Sequence, residues 1–236
     1  GPDAYSVAIY GKPSLTDPWM FQWNGHHLGL NITVVGREQV LSPTLTGAFP
    51  STYVNDAGAT VKVMENETGR AFKLMNSLTP AQQSQAVLKF IVQDLVLGPG
   101  RDGQVIQPEG LKGSAMTAPQ KAMLLDLTAA WVNILPPKAA MAKLAEISSH
   151  LDETYFAWSG ETSVGERAYF RVQGPTVFIE YAPQVNVPVG PGPGGGAGIP
   201  PANANPPAPG AANGAFQQNA APPASENLIT RERDPN

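Results

Sequence analysis

The sequence predicts an α+β fold: a mainly antiparallel sheet, a central helical segment, and a Gly/Pro-rich irregular C-terminal arm. Three observations carry that prediction. Runs of β-formers separated by turn residues occupy both ends of residues 1–187. Two capping boxes lie between them, the first with proline at the first helical position. Charge then disappears from 188–223, about half of which is glycine or proline. Strands, then helices, then strands is the order of an α+β domain.

In chain order, Tyr5 to Tyr10 (YSVAIY) reads as a strand stopped by Gly11 and Pro13. Trp19 to Trp23 and His27 to Val35 read as a hairpin around Asn24-Gly25, a dipeptide suited to turn positions with positive φ. On the second strand Leu28, Leu30, Ile32 and Val34 share one face, and His27, Gly29, Asn31, Thr33 and Val35 the other. Thr79-Pro80-Ala81-Gln82 opens a helix expected to carry Val87, Phe90, Ile91 and Leu95 toward the core. Thr117-Ala118-Pro119-Gln120 opens a second, with Leu124, Leu127, Trp131 and Leu135 on one side. Pro136-Pro137 ends it and opens a third, with Met141, Leu144, Ile147 and Leu151. Strands return at Thr154 to Trp158, Ala168 to Val172 and Thr176 to Tyr181, the last two joined through Gln173-Gly174-Pro175.

These elements divide the chain into a single domain over 1–187, a low-complexity arm over 188–224 and a charged segment over 225–236. The arm lacks the every-third-glycine register of collagen and carries one aromatic residue, Phe216. The charge run from Thr230 to Asn236 reads as a solvated tail.

Composition excludes several classes of function. The 236 residues are 42% hydrophobic, enough for a core, but only 14% charged, against about 25% in ordinary domains. Fifteen basic residues against 19 acidic ones give a net charge of -4, so no nucleic-acid partner is expected. The absence of cysteine excludes disulfides, a thiol nucleophile and zinc–thiolate clusters. No run of about 18 apolar residues occurs, so no membrane span is expected.

Chemistry must therefore come from few residues. Of the three histidines, His26 and His27 are adjacent in Gly25-His26-His27-Leu28. One reading makes one a ligand or base at the hairpin mouth, with the other packing or orienting it. The plainer reading has both bonding backbone carbonyls, since a bare pair has no established metal spacing. His150 reads as a cation at a helix C-terminus. Arg171 and Glu180 each interrupt an apolar strand. If the turn pairs those strands, the two lie near each other, either as a partly buried ion pair or with Glu180 as base or metal ligand and Arg171 holding an anion.

Several motifs in order resemble the uncharacterised "domain of unknown function 3500" family. They are Tyr5 to Pro13, Trp19 followed by Gly25 to Asn31, Phe156 to Gly160, and Tyr169 to Pro175 running into Ile179-Glu180-Tyr181. The resemblance covers most of 5–182 and resumes at Arg233-Asp234. It implies a secreted bacterial protein, extracellular or periplasmic, with no established activity. It also implies that this chain, which begins Gly1-Pro2, is a portion of a longer one. The family's Asn-His-x-His segment before Arg-Asp is replaced here by Glu226 to Thr230, without either histidine.

Two functional readings follow. The first is an enzyme, hydrolytic or oxidative, with His26, His27, Glu180 and Arg171 as catalytic residues and a divalent transition metal held by His26, His27 and Glu180. The second is a non-catalytic extracellular assembly protein that forms a homo-oligomer through residues 188–224, where few charges need desolvating.

Overall fold

The computed structural model describes residues 5–25, 27–98, 100–101 and 103–183, together with the backbone course of 228–234. The N-terminal part is an antiparallel meander of β1 (Ser6–Tyr10), β2 (Trp19–Gly25), β3 (Leu28–Val35) and β4 (Glu38–Gly47). A small hairpin, β5 (Thr52–Val54) with β6 (Thr60–Lys62), leads into α1 (Glu65–Ser77) and α2 (Pro80–Ala86). After the two-residue β7 (Leu111–Lys112) come α3 (Ala118–Val132) and α4 (Pro137–Ser149). A second antiparallel meander follows: β8 (Tyr155–Gly160), β9 (Ala168–Gln173) and β10 (Val177–Pro183).

The meanders become one sheet through the last strand, β11 (Leu228–Asp234). The nine strands run in the order β1-β2-β3-β4-β11-β10-β9-β8-β7. β11 is parallel to both neighbours, with Arg231 in register with Leu45 on one side and Glu180 on the other. This corrects the expectation of a solvated charged tail for these residues. The edges of β4 and β10 point the same way and present backbone N–H and C=O groups that need partners, whatever side chains the incoming strand carries. The arm over 188–224 lies outside the described residues.

The hairpin turn also differs from expectation. Gly25 is the last residue of β2 and pairs with Leu28, the first of β3, so Asn24-Gly25 lies within the ladder and not in the turn. Gly25 answers to close approach instead, because a Cβ there would collide with the Tyr5 ring. In β4 the pairing shifts between Leu30 and Ile32, opposite Ser42-Pro43. Pro43 has no N–H for the ladder, and its carbonyl accepts the Asn31 side-chain amide at 2.6 Å.

Both capping boxes form. The Thr79 hydroxyl accepts from Gln82 N–H while the Gln82 side chain accepts from Thr79 N–H, and Thr117 with Gln120 repeats the arrangement. The two glutamines also bond each other, each Nε2 donating to the other's Oε1 at 3.0 Å, so the starts of α2 and α3 are tied together. Helix α1 carried no comparable signal: its cap, Met64, makes no side-chain bond, and its sequence includes Asn66, Thr68, Gly69 and Asn76. It forms because Ala71, Phe72, Leu74 and Met75 bury one face. In α4 the buried residues are Ala140 and Ile147, with Leu144 packed beside them, whereas Met141, expected in the core, is exposed. Ala140, Leu144 and Ile147 recur at i, i+4 and i+7, which leaves Met141 one step off the packed stripe.

The helices cover one face of the second meander. Their core is aromatic: Phe72 meets Trp158 edge-on at 4.9 Å, and Trp131 meets Phe170 likewise at 5.9 Å. Phe170 in turn stacks on Tyr181 at 5.0 Å. Alternation sends Phe156, Trp158, Phe170, Val172, Ile179 and Tyr181 to this side.

The opposite face is covered by irregular chain, where the sequence had suggested a longer helix. Helix α2 stops at Ala86 and Val87 is extended. Val87 bridges Trp158, and Leu88 N–H donates to the Trp158 carbonyl at 2.7 Å. The Ser159 hydroxyl accepts from Val92 N–H and donates to the Phe90 carbonyl. The segment departs from helix because its backbone groups find partners on the sheet beneath it.

Candidate functional site

Arg171 and Glu180 lie side by side, as the hairpin reading required. They are direct partners in the β9–β10 register, and the facing residue on β8 is the small Ala157. Both are buried on the face beneath the irregular cover. Tyr169, two residues before Arg171 and so on the same face, completes the group.

Glu180 has both carboxylate oxygens engaged. Oε1 accepts the Tyr169 hydroxyl at 2.6 Å and Val96 N–H at 2.9 Å, and Oε2 accepts Leu97 N–H at 2.8 Å. Arg171 donates through NH2 to Glu109 Oε2 at 3.1 Å, while its buried Nε has no hydrogen-bond partner among the described residues. Gln173, next along the same face, donates to the Ile106 carbonyl at 2.9 Å. Arg171, Gln173 and Glu180 thus pin the cover segment at points from Val96 to Glu109, and Tyr169 holds Glu180 in place.

Burial dominates the electrostatics. It pushes the Glu180 carboxyl above its ordinary value, against bonds from Tyr169, Leu97 and Val96 and the charge of Arg171, all of which favour the carboxylate. Burial, and then the Glu180 charge, push the Tyr169 phenol well up. Burial alone would lower Arg171, but Tyr169, Glu109 and Glu180 outweigh it and hold the guanidinium charged. A carboxylate with both oxygens committed to its own fold is a structural anchor. Neither oxygen is turned toward solvent for base chemistry.

The histidines sit elsewhere. His27 is half-buried at the hairpin end, and its carbonyl accepts Gly47 N–H at 3.0 Å. His26 lies outside the described residues. Glu180 belongs to β10 and His27 adjoins β3, with β4 and β11 between them. Three strand spacings separate them by about 14 Å, too far for both to bind one ion. Among the described residues no group of three or more His, Asp or Glu side chains is placed to hold a metal. His150 is the C-cap of α4, its Nδ1 3.3 Å from Glu153 Oε1, as a helix-end histidine.

Tyr169, Glu109, Val96 and Leu97 were not identified from sequence. Tyr169 had a usable signal, the period of two that aligns it with Arg171. The other three come from chain without regular structure and had none.

A family model described as protein of unknown function (DUF3500) matches residues 3–196. No curated protein matches this chain, and no solved structure does.

Proposed function

As the chain belongs to the DUF3500 family of proteins of unknown function, we propose from its fold that it is an extracellular or periplasmic assembly protein. Copies associate through the β1 end of the sheet. The observation that carries this reading is the surface there. Among the described strands β1 is the outermost, and Val7, 61% exposed, is in register with Trp23 on β2, 44% exposed. Ile9 is 54% exposed on the same face as Val7. An exposed apolar strand with a free backbone edge is a pairing surface unless it is blunted, and β1 from Ser6 to Tyr10 carries no charge and no proline. The other edge of the sheet, β7, has only two residues. Antiparallel pairing of β1 with a second β1 gives a closed two-fold contact. The uncharged arm over 188–224 adds a further low-cost contact surface.

Light scattering on the full chain, with Val7→Lys and Ile9→Lys variants, tests this. A wild-type oligomer that both variants convert to monomer supports it; a wild-type monomer at all concentrations overturns it.

A second reading is a metal-dependent enzyme at the Gly25-His26-His27-Leu28 turn, and one observation favours it. The register sets Arg233 opposite Gly47, the residue whose N–H bonds the His27 carbonyl. Sequence-distant motif segments thus meet at one end of the sheet. Glu180 drops out of the ligand set, and His26 and His27 remain its proposed ligands. Elemental analysis of untagged protein, wild type and His27→Ala, decides it: a near-stoichiometric transition metal lost in the variant supports the enzyme, and no metal after reconstitution removes it.

A further inference from the structure

A cavity of about 310 Å³ opens on the helix side of the sheet, between α1, the β5–β6 hairpin and the β8–β9 turn. Its inner wall is formed by the buried rings of Phe72, Phe170 and Tyr181. Its mouth carries Lys62 and Glu65 on one side and Glu166 and Arg167 on the other. Each side therefore holds one cation and one anion. None of the four side chains makes an ion pair or hydrogen bond among the described residues, in a chain with only 14% charged residues.

Gly69 is the second, independent observation. It lies inside α1, where glycine weakens a helix. Neither usual justification applies: its φ is not positive, and a Cβ there would meet nothing within 4 Å. It does line the cavity. Its effect is to leave the helix backbone bare at the cavity wall, so that a flat or branched apolar group can lie against it.

We propose that this cavity is a binding site for a small zwitterion with an apolar body, of the size of a dipeptide. The apolar body lies between Gly69 and the ring wall, and its ammonium and carboxylate groups meet the opposite charges at the mouth. The volume is at the lower end for small-molecule sites, about 300 Å³ upward, which suits a dipeptide better than a longer chain. Mixed charge at the mouth favours a ligand carrying both signs, because its two ends can each take an opposite charge, whereas a simple anion or cation leaves the two mouth charges of its own sign without a counter-charge.

The test is calorimetric titration of the full chain with leucyl-phenylalanine, its N-acetyl derivative and its C-terminal amide. Saturable binding of the free dipeptide is expected, weakened about tenfold or more by either modification. Gly69→Leu, which fills the bare wall, is expected to abolish binding without lowering the melting temperature. Arg167→Ala, at an exposed side chain without a partner, supplies a second variant should Gly69→Leu fail to fold, and is expected to weaken binding severalfold. No binding of the free dipeptide at about 1 mM overturns the proposal. So do wild-type affinity in Gly69→Leu or, if that variant does not fold, in Arg167→Ala, and equal affinity for all three ligands.

Discussion

Arg171 and Glu180 are direct partners across β9 and β10, both buried, and neither spends a hydrogen bond on the other. Each reaches instead into the cover: Glu180 to the backbone of Val96 and Leu97, Arg171 to the carboxylate of Glu109. Their mutual attraction offsets part of the cost of burying each charge. Two residues that interrupt apolar strands thereby hold an irregular segment in place, a task an apolar pair could not perform.

Stability should depend on pH through Glu180. Its folded-state pKa is raised by burial. Between the ordinary carboxyl value of about 4.3 and that raised value, the folded state holds a proton that the unfolded state has lost. Stability therefore falls as pH rises through this window. Glu180→Gln removes that slope. It also leaves one of the Val96 and Leu97 N–H groups without an acceptor, a cost of about 1–3 kcal/mol. Denaturant melts across pH should show the variant's deficit narrowing as pH rises. A constant deficit would mean that Glu180 does not titrate in that range.

The two helix starts should behave as a coupled pair. Thr79→Ala and Thr117→Ala should each cost about 1 kcal/mol. Because Gln82 and Gln120 bond each other as well as their own caps, the double variant should depart from additivity by about 0.5 kcal/mol or more. A double-mutant cycle in urea reads this directly, and strict additivity would show the glutamine pair to be inert.

Removing residues 225–236 should open the sheet between β4 and β10, leaving two unpaired edges. The expected result is a lower melting temperature and concentration-dependent aggregation. A synthetic peptide spanning 225–236, added in excess, should restore part of the loss. An unchanged melt would show that β11 contributes nothing to stability.

Gly69→Ala should raise stability by about 0.5–1 kcal/mol, since the added methyl meets open space inside a helix. Thermal denaturation measures it. A destabilised variant would mean that the space at Gly69 is filled in the free protein.

Local chemistry was legible where a residue's partners lie within a few positions. The boxes at Thr79–Gln82 and Thr117–Gln120, and the strands at Ser6–Tyr10, Ala168–Gln173 and Val177–Pro183, depend on neighbours in sequence, and patterns of two and 3.6 expose them. The approach of Arg171 to Glu180 was legible for the same reason, because a short turn sets their register. Helix α1 was not, since its weak formers are held by a face whose partners lie far along the chain. The end of α2 at Ala86 was hidden because the acceptors and donors that straighten the next residues, on Trp158 and Ser159, are some seventy positions away.

By itself the sequence determined the fold class, the low charge, the uncharged arm and the family. Tertiary structure alone decided that a charged C-terminal run becomes the central strand, that His27 sits at the end of the β2–β3 hairpin, and that Glu180 anchors a cover and does not reach it. The physical reason is common to all three. Backbone groups and buried charges take whatever partner the fold brings within reach, and that choice is made across the sheet, where no local pattern records it.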